Sequence, residues 1–153
     1  MTDQSGKRVT EKDLLGHYTL IFFGYTYCAD VCPTTLQVIM AARTTLGDEG
    51  RKIVPVFVTV DPERDSVEQI KGYVGNFGSD LVGLTGSAAD VERIAKAYRV
   101  YYAKVPSADG KDYAMDHSSI LYLMGPDGKF RKHFTYTTDA AGLAAALREA
   151  MGS

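Results

Sequence analysis

Long apolar runs and clustered basic residues are both missing from this sequence, and each absence argues against a class of protein. The longest apolar stretches, at residues 20–23 and 53–60, are far too short to cross a bilayer as a helix. Lysine and arginine are scattered and the formal net charge is −2 at pH 7, which argues against a surface for nucleic acid or anionic membranes. No repeat, low-complexity tract or linker divides residues 1–153, so we expect a single domain.

A signal peptide is also missing, and cysteine is scarce. The chain opens abruptly with Met1, so we expect a soluble fragment from which a native N-terminal membrane anchor has been removed. The two cysteines, Cys28 and Cys32, do not identify a redox compartment by themselves. A structural zinc site needs four ligands, and there is no second cysteine pair to supply them.

Both cysteines lie between two segments with clear structural preferences. The apolar stretch at residues 18–23 predicts a buried strand, and a helical spacing of apolar side chains begins after Pro33. Proline fits the first helical position because its missing N–H would have no intrahelical partner there, so Cys32 is predicted to be the N-cap. The pair is therefore predicted where a strand meets a helix N-terminus, whose dipole favours thiolate over thiol.

The following residues predict alternating strands and helices. A β-branched run at residues 53–60 is typical of a strand covered on both faces. Regular pairing is expected from Val56 onward, because Pro55 cannot donate a hydrogen bond. Capping residues precede three amphipathic segments and predict three helices: Ser66, Ser87 and Asp139.

The last third of the chain predicts a hairpin. Residues 100–104 favour a strand, residues 106–112 a polar loop, and residues 119–134 a strand–turn–strand unit. The order of elements places parallel strands first, then an antiparallel hairpin and a closing helix. It predicts an α/β protein with a thioredoxin-like fold, in which a central mixed sheet is flanked by helices and carries a terminal β-hairpin.

The cysteine pair fits a structural disulfide less well than a reactive or metal-binding site. Closing so small a loop would stabilise the fold by only about 2 kcal/mol on the chain-entropy model. Redox enzymes of this fold carry two residues between their cysteines, whereas three separate Cys28 from Cys32. The wider spacing lets both sulfurs face one small ion and gives weight to metal binding.

The histidines supply the candidates for a further ligand. His17 precedes the first central strand and falls at the wrong end of the sheet, and His133 lies beside Arg131 in the second hairpin strand, in solvent. His117 is predicted at the start of the hairpin, where thioredoxin-like proteins usually place a cis-proline facing the cysteines. Two thiolates and an imidazole form a soft ligand set with an open position, which suits Cu(I) and, through the imidazole, Cu(II).

Several blocks together resemble the Sco (SenC-like) family of copper-binding proteins. The blocks are FFGYTYCADVCP at residues 22–33, VTVDPERD at 58–65, YRVYY at 98–102, and DHSS and GPDG at 116–119 and 125–128. They span nearly the whole chain. The resemblance implies a membrane-anchored thioredoxin-like domain on the periplasmic side of a bacterial inner membrane, with the mitochondrial intermembrane space as the alternative.

The resemblance also implies a function. It implies copper bound by Cys28, Cys32 and His117 for assembly of the dinuclear copper centre of cytochrome c oxidase subunit II. That subunit and another periplasmic copper chaperone are the implied partners. We expect a metallochaperone rather than an enzyme with turnover. Family members differ in whether they deliver copper, reduce the target's cysteines or signal redox state, so a thiol–disulfide oxidoreductase using Cys28 and Cys32 is the alternative.

The residues around the motifs carry weaker expectations. Tyr27 stands where the family commonly has histidine, and Ala29 where it commonly has proline. Asp30 is interpreted as a helix cap, and Asp61 is left open as a residue that orients a ligand. Met115 is interpreted as a packing or loop residue, and Glu63 and Arg64 as helix-start residues. A peroxidase ranks third among the functions, because no Pro-x-x-x-Thr-x-x-Cys pattern precedes Cys28.

Overall fold

The computed structural model describes residues 1–27, 31–78, 80–106, 108, 110, 113–117, 120–135 and 139–151, with side chains except at 11, 31, 32, 114–117 and 135. Within that part of the chain the strands and α-helices are β1 (Thr2–Asp3), β2 (Tyr18–Gly24), α1 (Val31–Leu46), β3 (Ile53–Thr59), α2 (Val67–Val74), β4 (Val82–Thr85), α3 (Ala88–Tyr98), β5 (Tyr102–Pro106), β6 (Tyr113–His117), β7 (Ile120–Met124), β8 (Phe130–Thr135) and α4 (Ala140–Ala150). Short 3-10 turns lie at Glu11–Leu14, Gly50–Lys52 and Gly75–Phe77.

A mixed sheet of six strands forms the centre of the molecule, in the order β1-β4-β3-β2-β7-β8. Strands β2, β3 and β4 run parallel, while β7 lies antiparallel to β2 and forms a hairpin with β8. The predicted mixed sheet with a terminal hairpin is therefore confirmed. The carboxyl ends of β2 and β3 meet at one rim of the sheet, which is where the cysteine loop begins.

The two faces of the sheet bury two separate cores, because successive residues of a strand point to opposite sides. Leu20 and Phe22 of β2 pack with α1, α2 and α4 on one face. Ile21 and Phe23 pack with α3 on the other face. Each of these side chains is at most 2% exposed, and burying such a residue stabilises a fold by about 2 kcal/mol.

The first helix begins earlier than the sequence predicted. It starts at Val31, so Cys32 lies in its first turn and is not the N-cap. Pro33 is accommodated there because the N–H groups of the first helical turn have no partner within the helix, and a missing donor costs no bond. The helix dipole still favours the thiolate of Cys32, since the residue lies at the helix N-terminus.

The largest departure from the predicted topology is a second sheet of two strands, β5 and β6. The strand expected at residues 100–104 occurs two residues later, as β5. The strand β6 was not predicted. Consequently His117 does not start the hairpin but ends β6, where it is the pairing partner of Tyr102.

The predicted caps agree with the structure, and the exception at Pro55 agrees with it in part. Ser66, Ser87 and Asp139 each accept a hydrogen bond from the backbone N–H three residues ahead. Pro55 is paired with Leu20 of β2, but pairing with β4 begins only at Val56. The regular pairing expected from Val56 thus holds on the β4 side and is wrong on the β2 side.

In the described part of the chain, no helix combines the length and apolar character that a membrane span requires.

Candidate functional site

Two of the three predicted ligands are described by their backbone alone, and the third lies outside the described residues. Cys28, with Ala29 and Asp30, lies outside the described residues. Cys32 is described by its backbone in the first turn of α1, and His117 by its backbone at the end of β6. Among the described residues no group of three histidine, cysteine or acidic side chains is placed to hold a metal ion. The ligand set therefore stays a prediction.

The other two histidines lie away from this rim, as expected. His17 is exposed and precedes β2, at the end of the strand opposite the cysteine loop. His133 is exposed on β8, an edge strand of the main sheet. Its ring stacks on Phe130, with the ring centroids 6.3 Å apart.

A buried carboxylate, Asp65, joins the loop after β2 to the loop after β3. It accepts hydrogen bonds from the backbone N–H of Thr26 at 3.0 Å and from the hydroxyls of Thr26 and Thr59. Gln69, in the first turn of α2, donates its side-chain amide to Thr26 Oγ1 at 3.0 Å. Since Thr26 is two residues before Cys28, these bonds fix the direction in which the chain enters the cysteine loop.

Burial is the main influence on the charge of this carboxyl. It raises the pKa of Asp65, while the hydrogen bonds from Thr26 and Thr59 act in the opposite direction and the nearby charge of Asp61 raises it further. The Asp65 side chain has no exposed surface. Burial thus disfavours the charged form of Asp65, and the hydrogen bonds from the neutral donors Thr26 and Thr59 offset part of that cost.

Asp61 forms the second buried contact of the rim, and the structure gives it a defined role. The residue is 1% exposed and its Oδ2 pairs with Arg64. Its Oδ1 accepts the phenol hydrogen of Tyr113 at 2.7 Å, and its own N–H donates to Thr59 Oγ1 at 2.9 Å. Asp61 therefore connects the loop after β3 to the first residue of β6.

Arg64, interpreted from the sequence as a helix-start residue, lies at the centre of an aromatic group. Its Cζ is 3.8 Å from the ring centroid of Tyr113, 4.4 Å from that of Tyr27 and 5.9 Å from that of Tyr25. Its Nη1 donates to the backbone carbonyl of Tyr113 at 3.0 Å. The interpretation of Arg64 as helix-start chemistry alone is therefore wrong, because its contacts reach across the rim.

The same side of the rim carries a surface ion pair between Glu63 and Lys104 of β5, at 2.7 Å. The hydrogen bond from Lys104 lowers the pKa of Glu63. Both side chains are about half exposed or more, at 61% and 49%, so water and salt screen the pair and it contributes little to stability. Tyr113 is different, because burial and its bond to Asp61 raise the pKa of its phenol. The phenol therefore stays a donor at neutral pH.

The sequence did not predict that three residues take part in the hydrogen bonds at the rim: Tyr113, Thr26 and Thr59. Tyr113 was part of no predicted element, and its partner Arg64 is 49 residues away in sequence. For Thr26 and Thr59 a signal was present, because each lies at the carboxyl end of a predicted central strand, where polar side chains reach the rim.

Comparison with known proteins relates this rim to a family. The sequence model of the SCO1/SenC family matches residues 1–152. The human protein "Protein SCO1 homolog, mitochondrial" is 42% identical over 153 residues, which covers 96% of this chain and 50% of the relative. The chain spans about half the length of the curated relatives it matches.

Two solved structures of ScoI proteins resemble this chain in fold and in sequence. ScoI of Arabidopsis thaliana with copper bound has a TM-score of 0.93 and 42% identity, covering 98% of this chain and 93% of that one. ScoI of Bradyrhizobium japonicum with copper bound has a TM-score of 0.87 and 45% identity, covering 97% and 94%.

A third solved structure is more distant. BsSco is a member of the Sco family of cytochrome c oxidase assembly proteins in which a disulfide switch was identified. It has a TM-score of 0.73 and 28% identity, covering 99% of this chain and 90% of that one. Agreement of the fold over nearly the full chain, with the family sequence model matching the same span, leads to one conclusion: the fold is thioredoxin-like and the chain belongs to the SCO1/SenC family.

Proposed function

We propose that this chain is a copper metallochaperone that binds Cu(I) and Cu(II) through Cys28, Cys32 and His117. The observation that carries the proposal is membership of a family whose solved relatives hold copper. The described frame fits such a site, because Cys32 lies in the first turn of α1 and Arg64 contacts both the residue before Cys28 and the strand of His117. Thiolates and an imidazole are the donors that copper prefers in both oxidation states.

Each residue of the set has a separate task in this proposal. The N-terminus of α1 favours the thiolate of Cys32, and both cysteines must lose their protons to bind copper. His117 completes a site that accepts Cu(II) as well as Cu(I). Three protein ligands leave one position for a ligand from the recipient, so copper can pass without first becoming free.

The recipient in this proposal is subunit II of cytochrome c oxidase, at its dinuclear copper centre. Support comes from the family of cytochrome c oxidase assembly proteins to which BsSco belongs. Residues 1–153 would act as one thioredoxin-like domain on the periplasmic side of a bacterial inner membrane. A periplasmic chaperone would supply the copper.

An anaerobic copper titration of the reduced protein tests the proposal. We expect one copper per chain and, for Cu(II), a sulfur-to-copper charge-transfer absorption that is lost in Cys28→Ser and in Cys32→Ser. His117→Ala should weaken the binding of Cu(II) far more than that of Cu(I), since two sulfurs suffice to hold Cu(I) in linear coordination. His133→Ala is the matched control, because that histidine is exposed on the far edge of the sheet. Survival of the absorption in either serine variant would refute the assignment.

A thiol–disulfide oxidoreductase is the second candidate, and the disulfide switch identified in BsSco is the observation that favours it. Thiol exchange needs Cys28 and Cys32 but not His117. Oxidase assembly in cells that carry His117→Ala therefore separates the two functions. Normal assembly under limiting copper would favour the oxidoreductase, and a clear loss would favour the metallochaperone.

A further inference from the structure

Arg64 contacts the two segments that carry the proposed ligands. On the cysteine side its Cζ lies 4.4 Å from the ring centroid of Tyr27, the residue directly before Cys28. On the histidine side it lies 3.8 Å from the ring centroid of Tyr113, the first residue of β6. Both distances are well inside the range of about 6 Å over which a cation is attracted to an aromatic face.

The guanidinium is held in a fixed orientation between these rings. Its Nε pairs with Asp61 and its Nη1 donates to the backbone carbonyl of Tyr113 at 3.0 Å. The side chains of Arg64 and Asp61 are only 14% and 1% exposed. Because Asp61 also accepts the phenol hydrogen of Tyr113 at 2.7 Å, the arginine, the carboxylate and the tyrosine form a closed triangle that fixes where β6 starts.

The position of β6 determines the position of His117. His117 lies four residues after Tyr113 along the strand, or about 13 Å of extended chain. Its main-chain partner is β5 rather than the six-stranded sheet, and an isolated two-stranded unit is only marginally stable. Contacts such as those of Arg64 therefore have a large share in placing β6 against the rim.

We infer that Arg64 is a positioning residue, which sets the distance and orientation between the cysteine loop and the strand of His117. The inference rests on the proposed function, because it explains how the proposed ligands are brought together. The contact with Tyr27 is a feature of this chain, since histidine is the common residue there in the family that the sequence resembles. Tyr27 is 55% exposed, and the guanidinium covers its ring, so this contact orients the ring beside the start of the cysteine loop.

The first test needs no copper. In reduced protein carrying Arg64→Gln, we expect amide hydrogen exchange at residues 113–117 to accelerate by about tenfold or more, because the strand loses its attachment to the rim. Exchange in β7 should not change. Arg8→Gln is the matched control, since Arg8 pairs with Asp90 and touches none of these residues. Unchanged exchange at residues 113–117 would overturn the inference.

The second test uses copper, and its readout would not respond to a merely structural role. Arg64→Gln should lower the affinity for Cu(II) by about tenfold and that for Cu(I) by less than about threefold, because Cu(II) depends on the imidazole. Arg64→Lys keeps the charge but lacks the planar fork that serves Asp61 and Tyr113 together, so it should resemble Arg64→Gln. A wild-type ratio of the two affinities in Arg64→Lys would overturn the inference, because charge alone would then suffice.

Variants of Tyr27 keep the inference testable if Arg64→Gln does not fold. Tyr27→Ala should shift the ratio of Cu(II) to Cu(I) affinity in the same direction, by about threefold, and Tyr27→Phe should restore the wild-type ratio because the ring face is retained. If Tyr27→Ala, Tyr27→Phe and the wild type all had the same ratio of Cu(II) to Cu(I) affinity, the inference would be refuted. A wild-type protein that bound no copper would overturn the proposed function alone, since the exchange measurement is made without metal.

Discussion

The starts of α2 and α3 are built from similar parts in different surroundings. Each helix has a serine cap, Ser66 or Ser87, and an aspartate within three residues of the cap that binds a distant segment. Asp65 is fully buried and accepts its hydrogen bonds from neutral donors. The side chain of Asp90 is 11% exposed and binds Arg8, whose side chain is 58% exposed, through both carboxylate oxygens.

The pKa values of the two carboxyls consequently move in opposite directions. Burial raises the pKa of Asp65, whereas the hydrogen bond from Arg8 lowers the pKa of Asp90. Both groups accept several hydrogen bonds, so their number does not decide the direction. Removal from water decides it for Asp65, and the neighbouring cation decides it for Asp90. The start of α2 is thus held by fixed geometry, and the start of α3 by a charge pair that salt can screen.

The largest expected effect is that of Asp65→Ala. The substitution leaves the N–H and hydroxyl of the half-buried Thr26 and the buried hydroxyl of Thr59 without their acceptor, so the free energy of unfolding should fall by about 3 kcal/mol. Urea-induced unfolding measures the change. The same substitution at Asp90 is the matched control, and a larger loss there would contradict the comparison.

Asp90→Ala should cost about 1–2 kcal/mol. It removes both the pair with Arg8 and the bond from the N–H of Ser87, which belongs to the capping box of α3. Thermal unfolding followed by circular dichroism measures the loss. Asp90→Asn should recover part of it, because the amide oxygen can still accept from Ser87. A neutral result for the alanine variant would mean that neither contact stabilises α3.

The two aspartates should also give opposite pH dependences of the free energy of unfolding. The raised pKa of Asp65 gives a stabilisation that is complete below the unfolded value of 3.8 and is lost as the pH rises through the folded pKa. The lowered pKa of Asp90 gives a stabilisation that is complete above the unfolded value of 3.8 and is lost as the pH falls through the folded pKa. Relative to wild type, Asp65→Asn should therefore become more stable as the pH rises, and Asp90→Asn less stable.

Urea unfolding of the two asparagine variants and the wild type at several pH values between about 3 and 7 makes this measurement. If the free energy of unfolding of the two variants changed with pH in the same way, burial would not explain a difference between the pKa values of the two carboxyls.

The smallest expected effect is that of Arg8→Gln, at about 0.5 kcal/mol or less. The guanidinium is mostly in solvent, so the side-chain ordering that the pair requires offsets much of its attraction to Asp90. Unfolding with and without about 1 M sodium chloride tests this, because salt should remove most of the difference from wild type. An effect that persisted at high salt would mean that the start of α3 depends on geometry as well.

Local signals in the sequence predicted most of the main sheet and its helices. The apolar stretch of β2, the β-branched run of β3 and the capping serines each act within a few residues, and the structure confirms them. The strand β6 was missed because a sequence such as Tyr-Ala-Met-Asp-His has no alternating apolar pattern. Its partner β5 is also short and largely exposed.

The candidate site could be predicted only as a set of residue types. The spacing of Cys28 and Cys32 and the soft character of His117 are properties of the sequence, and the ligand set they suggest stays a prediction. The contacts of Arg64 could not be predicted, because they join the loop after β3 to residues before the cysteines and to β6. Such contacts depend on the packing of the whole fold rather than on any local pattern.

The edges of the main sheet have a consequence for self-association. One edge, β1, is two residues long, and the other, β8, places Arg131, Lys132 and His133 in consecutive exposed positions. A second copy that added its own β8 to this edge would bring Arg131 and Lys132 close to their equivalents, and like charges on neighbouring strands repel. At the β8 edge, the chain thus resists growth into larger assemblies through backbone pairing.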